Sequence, residues 1–223
     1  YCFASTILDR LYFFRGRFDG FDIRVSGADM LSRVLGEGRG CLLLGSHLGS
    51  FEAVRAVGSV REHTEIKMVM DEENAPLMRA LFREVNPEAA EHVLQAGRFD
   101  TMLRVQECLD GGGIVGIMGD RLTSGGQAVC CEFLGAKALF PTGTMRLAHA
   151  LRAPVVMFFG LYKGRNHYQV HLELLSDRIE LSSERRDDDI RRWTQRYADR
   201  LADRSRQAPD NWFNFYDFWD VSQ

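Results

Sequence analysis

The sequence of 223 residues lacks several features that mark whole classes of protein. Its longest uncharged apolar stretches, near residues 41–51 and 153–162, fall short of the roughly 20 residues that a helix needs to cross a bilayer. It has no excess of positive charge, since 28 Lys and Arg stand against 31 Asp and Glu, a net charge of −3. A nucleic-acid binder needs a basic surface to offset phosphate charge. The composition therefore predicts no spanning helix within these residues and no nucleic-acid partner.

Cysteine is sparse and irregular as well. The five cysteines form no C-x-x-C pair, and their odd number argues against a disulfide framework. The histidines show no H-E-x-x-H spacing, so we predict no metal and no resident cofactor. No signal peptide is visible, and the sequence begins at Tyr1 rather than Met. These features predict a reducing cytosolic setting and a fragment of a longer chain.

What the sequence does contain is the pattern of one α/β domain spanning residues 1–223. It is 45% hydrophobic, with 21 Gly against 5 Pro, which is typical of a folded globular protein. Apolar runs alternate with amphipathic segments, which predicts a central, mostly parallel or mixed sheet flanked by helices. Strands are predicted at 41–45, 65–70, 114–119, 153–162 and 168–175, and helices at 4–15, 28–38, 50–57, 75–85, 99–112, 142–152 and 182–206.

The stretch GSHLGSFE follows the first apolar strand directly. A hydrolase elbow places Ser between two glycines as G-x-S-x-G, but here the middle position between Gly45 and Gly49 is His47. We interpret His47 as a general base and Glu52 as the carboxylate that holds its imidazole in one tautomer. A base without a Ser or Cys nucleophile suits an electrophile that is already activated, such as a thioester. The alternative is a strand-to-helix turn with a structural histidine.

The stretch GDRL places Asp120 and Arg121 at the end of another apolar strand. Ligands of α/β sheets gather at the carboxyl ends of strands, so this turn and GSHLG are expected to share one cleft. The guanidinium of Arg121 offers a bidentate fork for a phosphate of donor or acceptor. The alternative is an ion pair in a surface turn.

Two further groups of residues are candidates for binding an anion. Thr142, Gly143 and Thr144 come just before a predicted helix, where free N–H groups and the helix dipole favour negative charge. Arg79 and Arg83 lie four apart on one predicted helix face and suit an anionic headgroup or carrier. The alternatives are an ordinary capped helix start and a solvated helix face.

Taken together, these motifs resemble a known family. The blocks VSGADMLSRVLGEGRGCLLLGSHLGSFEAVRA, IVGIMGDRL and CEFLGAKALFPTGTMRLAHALRAPVVMFF occur in the order and spacing of the bacterial lipid A late acyltransferases, within the glycerolipid acyltransferase superfamily. The similarity covers roughly residues 7 to 220. It implies that His47 and Glu52 are catalytic, that Asp120 contributes to the site, and that Arg83 matters for binding.

The resemblance implies a reaction and a location. An acyl group would pass from an acyl carrier protein or coenzyme A thioester, as co-substrate, to a hydroxyl of a lipid or glycolipid-like acceptor. The enzyme would be peripheral on the cytoplasmic face of the inner membrane, or cytoplasmic. The amphipathic segment 4–15 and the aromatic tail NWFNFYDFWD (211–220) suit a membrane surface. The tail also suits a cover over the acyl chain or a cap on the core.

Two departures from the family pattern concern the acceptor. The P-E-G-T block appears here as Pro141-Thr142-Gly143-Thr144, without the Glu, and the tail carries Asp217 and Asp220 in place of arginines. Two other functions stay open at this point. One is hydrolysis of an acyl thioester, with water replacing the acceptor, and the other is a non-catalytic lipid-binding or carrier-binding module.

Overall fold

The computed structural model describes residues 1–53, 64–71, 76, 80, 83–84, 87–123 and 125–221. Its helices are α1 (Cys2–Phe14), α2 (Ala28–Gly36), α3 (Pro87–Ala90), α4 (Phe99–Asp110), α5 (Gly143–Leu151) and α6 (Arg186–Gln207), with 3₁₀ turns at Phe51–Ala53 and Pro209–Asn211. Its strands are β1 (Asp22–Ser26), β2 (Cys41–Gly45), β3 (Ile66–Met70), β4 (Val93–Gln95), β5 (Ile114–Met118), β6 (Ala128–Phe133), β7 (Ala136–Pro141), β8 (Val155–Gly164) and β9 (His167–Ser176).

Among the described residues, seven strands form one mixed sheet in the order β1-β9-β8-β2-β5-β3-β4. Five neighbouring strands, from β8 to β4, run parallel, whereas β9 is antiparallel to β8 and carries β1 parallel to itself. Strands β6 and β7 form a separate antiparallel hairpin. The predicted α/β architecture with a mixed sheet flanked by helices is confirmed.

Strand β2 shows why its sequence is a continuous apolar run. All five of its residues are buried, and they alternate between the two faces of the sheet. Leu42 and Leu44 enter a core with α4, α5, α6 and the hairpin, while Cys41 and Leu43 enter a second core with α1 and α2. A strand covered on both faces has no polar side, so its sequence does not alternate.

The structure adds strands that the sequence pattern did not predict, namely β1, β4 and the hairpin β6–β7. The side chains of β1 are exposed and half-buried in alternation, and β4 has only three residues, so neither forms an apolar run. The predicted helix at 50–57 is a 3₁₀ turn over Phe51–Ala53, and residues 54–57 lie outside the described residues. Most of the predicted helix at 75–85 lies outside them too.

No helix in the described residues is both long and apolar enough to span a membrane.

Candidate active site

The candidate site lies where β2 and β5 end side by side. These strands are parallel neighbours in a register that pairs Gly45 with Met118. His47 and Asp120 each follow the end of their strand by two residues, so the register alone brings the two turns together. The two turns therefore leave the sheet at one edge, as the sequence predicted.

Each oxygen of the Asp120 carboxylate contacts His47. The Oδ1 atom of Asp120 lies 2.8 Å from the ring Nδ1 of His47, and its Oδ2 accepts the backbone N–H of His47 at 2.8 Å. Asp120 is wholly buried, while 26% of the His47 side chain is exposed. A carboxylate bound to both the ring and the backbone of one residue fixes where that ring points.

The charge of Asp120 determines which ring nitrogen carries the proton. Burial raises the pKa of Asp120, but the hydrogen bonds and charge of His47 and the amide of Asn214 outweigh burial and hold the pKa below its ordinary value. An ionised carboxylate only accepts, so Nδ1 must donate. The neutral imidazole then carries its lone pair on Nε2, which bonds to no residue in the described part of the chain. A neutral imidazole in this tautomer can act as a general base.

Glu52 lies in a different environment from the one predicted for it. Its Oε2 accepts the hydroxyl of Ser50 at 3.1 Å and lies 3.0 Å from Nε of Arg10 on α1, an ion pair without an aligned hydrogen bond. The ring of Phe51 packs against the positions of Gly45 and Gly116, where a Cβ atom would come within 2.7 Å of it. This packing fixes the turn that carries Glu52.

The predicted pairing of His47 with Glu52 is therefore corrected in one respect. The carboxylate on Nδ1 is Asp120, because β5 brings Asp120 to the end of β2, whereas the turn after His47 places Glu52 beside Arg10. The predicted participation of Glu52 in catalysis stays a prediction.

A segment near the end of the described chain holds the loop that carries His47. We call residues 211–216 the strap and residues 46–50 the β2 loop. The N–H of Phe213 donates to the carbonyl of His47, and the N–H of Gly49 donates to the carbonyl of Asn211, both at 2.8 Å. Leu48 and Trp212 form an antiparallel bridge between these bonds. The strap thus adds a short strand to the β2 loop.

Gly49 lets the β2 loop lie against the sheet. Its φ of +79° is in the left-handed region, and a Cβ atom there would lie 2.1 Å from the carbonyl oxygen of Gly160 on β8. The next N–H, that of Ser50, donates to that same carbonyl at 2.8 Å. Only glycine fits this approach. The loop is thus held between the strap and β8.

Arg121 is bonded to the strap. Its Nε donates to Oδ1 of Asn214 at 2.7 Å, and one terminal nitrogen donates to the carbonyl of Phe213 at 2.9 Å. Its guanidinium also lies 5.8 Å from the ring centre of Tyr216. The residue borders a cleft of about 240 Å³ whose other walls are formed by Leu122, Leu139, Tyr216, Asp217, Phe218 and Asp220. Its predicted role in holding a phosphate stays a prediction.

Within the described residues, Arg83, Thr142 and Thr144 form no hydrogen bond or ion pair with His47 or Asp120. Thr142 occupies the N-cap position of α5, but its side chain does not cap the helix: its N–H and its hydroxyl both donate to the carbonyl of Gln127, and Thr144 is buried in the first turn. Space is open beside Gly143, where an added Cβ would meet no atom within 4 Å. Arg83 is exposed, and most of its neighbours in sequence lie outside the described residues. The predicted roles of these residues remain untested.

Two findings complete the site. Among the described residues, no group of three or more His, Cys, Asp and Glu side chains is placed to hold a metal ion.

Sequence reasoning missed Asn214, whose Nδ2 donates to Oδ2 of Asp120 at 3.2 Å. The aromatic residues around it drew attention to the tail, but no spacing links an asparagine at 214 to an aspartate at 120.

Comparisons with known proteins place this geometry in a family. No curated protein gives a significant match to the chain. The model of the bacterial lipid A biosynthesis acyltransferases matches residues 14–220, a range that contains both strand ends, the His47–Asp120 pair and the strap. The chain therefore belongs to the bacterial lipid A biosynthesis acyltransferase family.

Proposed function

We propose that the chain transfers an acyl group from an acyl carrier protein or coenzyme A thioester to a hydroxyl of a lipid or glycolipid acceptor. The observation that carries this proposal is the His47–Asp120 pair at the paired ends of β2 and β5, in a chain of an acyltransferase family. The pair supplies a base and its orienter, and a thioester supplies an electrophile that needs no nucleophilic side chain.

Each atom of the reaction has a place in this scheme. Nε2 of His47 takes the proton of the acceptor hydroxyl while the oxygen attacks the thioester carbonyl. The tetrahedral intermediate then collapses, the C–S bond breaks, and the thiolate takes the proton from the imidazolium to leave as a thiol. Asp120 stays ionised throughout and stabilises the imidazolium. Backbone N–H groups near Gly143 are our candidates for stabilising the oxyanion.

The cleft beside Arg121 bears on the acceptor. Two of its wall residues, Asp217 and Asp220, are acidic, and Tyr216 and Phe218 contribute aromatic rings. Carboxylates accept hydrogen bonds from hydroxyls and repel phosphates. Because the two carboxylates outnumber the guanidinium of Arg121 in these walls, we infer that a hydroxyl-rich, uncharged part of the acceptor, rather than a phosphate, occupies this cleft.

Exposed apolar side chains next to the site support work at a membrane surface. Phe3 on α1 packs edge-on against Phe213 and Phe215 of the strap, and Leu8 and Phe215 are 62% and 73% exposed. Because the net charge is −3, apolar insertion must supply most of the affinity for anionic lipid. Binding to vesicles in sedimentation should therefore depend weakly on salt. Absence of binding at every salt concentration would limit the enzyme to soluble substrates.

Removal of the base tests the proposed reaction. The purified protein is incubated with an acyl thioester, with and without a glycolipid acceptor, and acyl transfer and free acid are measured by mass spectrometry. His47→Ala should abolish transfer, while His167→Ala, which replaces an exposed histidine bonded to turn carbonyls, should leave it unchanged. Unchanged transfer by His47→Ala would refute the proposal. Rapid release of acid without acceptor would make the protein a thioester hydrolase.

A further inference from the structure

Asn214 stands between the two charged side chains that follow β5. Its Nδ2 donates to Oδ2 of Asp120 at 3.2 Å, and its Oδ1 accepts from Nε of Arg121 at 2.7 Å. A carboxylate can only accept and a guanidinium can only donate, so the two partners fix the orientation of the amide. The amide provides a donor on one side and an acceptor on the other. Glutamine provides the same two groups on a longer side chain.

Hydrogen bonds between the strap and the sheet fix the position of Asn214. The side chain of Asn211 accepts the N–H of Tyr162 at 2.7 Å and donates to the carbonyl of the same residue at 3.1 Å, and both bonds are buried. Phe213 bonds to His47 and Arg121 through its backbone. The strap between these anchors has little freedom, so Asn214 reaches Asp120 from a set direction.

The same carboxylate oxygen receives two donors of different origin. Oδ2 of Asp120 accepts the backbone N–H of His47 and the amide of Asn214, which leaves Oδ1 for the imidazole. Because Asp120 is wholly buried, the hydrogen bonds to its oxygens come from protein groups rather than from bulk water. The direction of Oδ1, and with it the proton on Nδ1, depends on both donors to Oδ2.

We propose that Asn214 is a positioning residue that fixes the Asp120 carboxylate in the orientation that keeps the proton of His47 on Nδ1. The strap thereby helps to prepare the base, in addition to bonding to the β2 loop. The link to turnover rests on the proposed acyl transfer, whereas the link to the His47 tautomer does not.

One substitution changes the donor interaction of Asn214 and keeps its acceptor interaction. Asn214→Asp keeps the shape and still accepts from Arg121, but it sets a second carboxylate against Oδ2 of Asp120. Asn214→Ala removes both bonds without adding charge and serves if the first variant folds poorly. Asn166→Asp is the matched control, because it exchanges an amide for a carboxylate in the β8–β9 turn, where Nδ2 donates to the carbonyl of Gly20.

Two measurements on the full chain test the proposal. In ¹⁵N NMR, with the His47 signals assigned by His47→Gln, the wild type and Asn166→Asp should show the Nδ1–H tautomer. Asn214→Asp and Asn214→Ala should show it mixed with the Nε2–H tautomer. In the transfer assay, kcat of both Asn214 variants should fall about tenfold to hundredfold with KM little changed, the effect of losing one hydrogen bond to a charged group.

The outcomes distinguish this inference from the proposed function. An unchanged tautomer in both Asn214 variants overturns the inference, whatever the activity. A changed tautomer in a protein whose wild type transfers no acyl group supports the positioning role and refutes the proposed reaction. A fall in kcat matched by Asn166→Asp would indicate a general effect on the fold and would also overturn the inference.

Discussion

Two buried carboxylates near His47 have opposite relations to it. Glu52 is five residues away in the sequence, yet its bonds go to Ser50 and its charge faces Arg10. Asp120 is 73 residues away, yet it contacts both the ring and the backbone of His47. The comparison shows that the register of β2 and β5, rather than spacing along the chain, selects the partner of the base.

The difference between the two sites also separates their functions. The hydrogen bonds of Asp120 join it to His47 in the β2 loop and to Asn214 in the strap, so in the proposed reaction it acts on the base. The bonds of Glu52 connect the β2 loop to α1, whose outer face exposes Leu8, Leu11 and Tyr12. We therefore expect substitutions at the two positions to change different measurements.

The largest effect is expected at Asp120. Asp120→Asn preserves the shape but presents an amide to Nδ1, which favours the wrong tautomer, and loss of an orienting aspartate costs about 10³- to 10⁴-fold in rate. Steady-state kinetics should show the loss in kcat, with the chain still folded by circular dichroism. A fall of less than tenfold would refute the orienting role proposed for Asp120.

A smaller effect is expected at Glu52. Glu52→Gln removes the charge that faces Arg10 but can still accept from Ser50, so kcat should fall by less than tenfold. The free energy of unfolding should fall by about 1 kcal/mol, within the range for one polar contact. A cycle with Arg10→Gln would measure the coupling by thermal unfolding. A greater loss of kcat than in Asp120→Asn would reverse the assignment.

The smallest effect concerns acid stability. The pKa of Asp120 is held below its ordinary value of 3.8 in the folded chain, so its charge stabilises the fold above that value. This contribution is lost as the pH falls below 3.8 towards the folded-state pKa. Asp120→Asn has no such group, so its melting temperature should fall less steeply than that of the wild type between pH 5 and 3, by a few degrees. Parallel curves would mean that folding does not lower the pKa of Asp120.

The sequence predicted those strands and turns that have a recognisable local pattern of apolar residues and glycines. The apolar run of β2 and the glycines after it identified a strand end with His47, and GDRL identified its neighbour. The hairpin β6–β7 lies outside the main sheet and alternates between exposed and buried residues, and β4 is short, so neither gave a run long enough to recognise.

The sequence predicted several residues of the candidate site, but it did not predict the hydrogen bonds between them. His47, Asp120 and Arg121 were each chosen for their place at a strand end, but which carboxylate meets Nδ1 depends on strand register, which a single sequence does not encode locally. Asn214 was missed because its role arises from a contact across 94 positions. No periodicity or motif marks such a residue.

The strap also orders the events by which the site is built. Phe213, whose N–H donates to the carbonyl of His47, leaves the ribosome 166 residues after it, so this bond joins residues that are far apart in the chain. Distant contacts form late in folding because they close the longest loops. A nascent chain that already contains all the described strands of the sheet therefore still lacks the bonds between the strap and the β2 loop, and in the proposed reaction its base is complete only once residues 211–216 have docked.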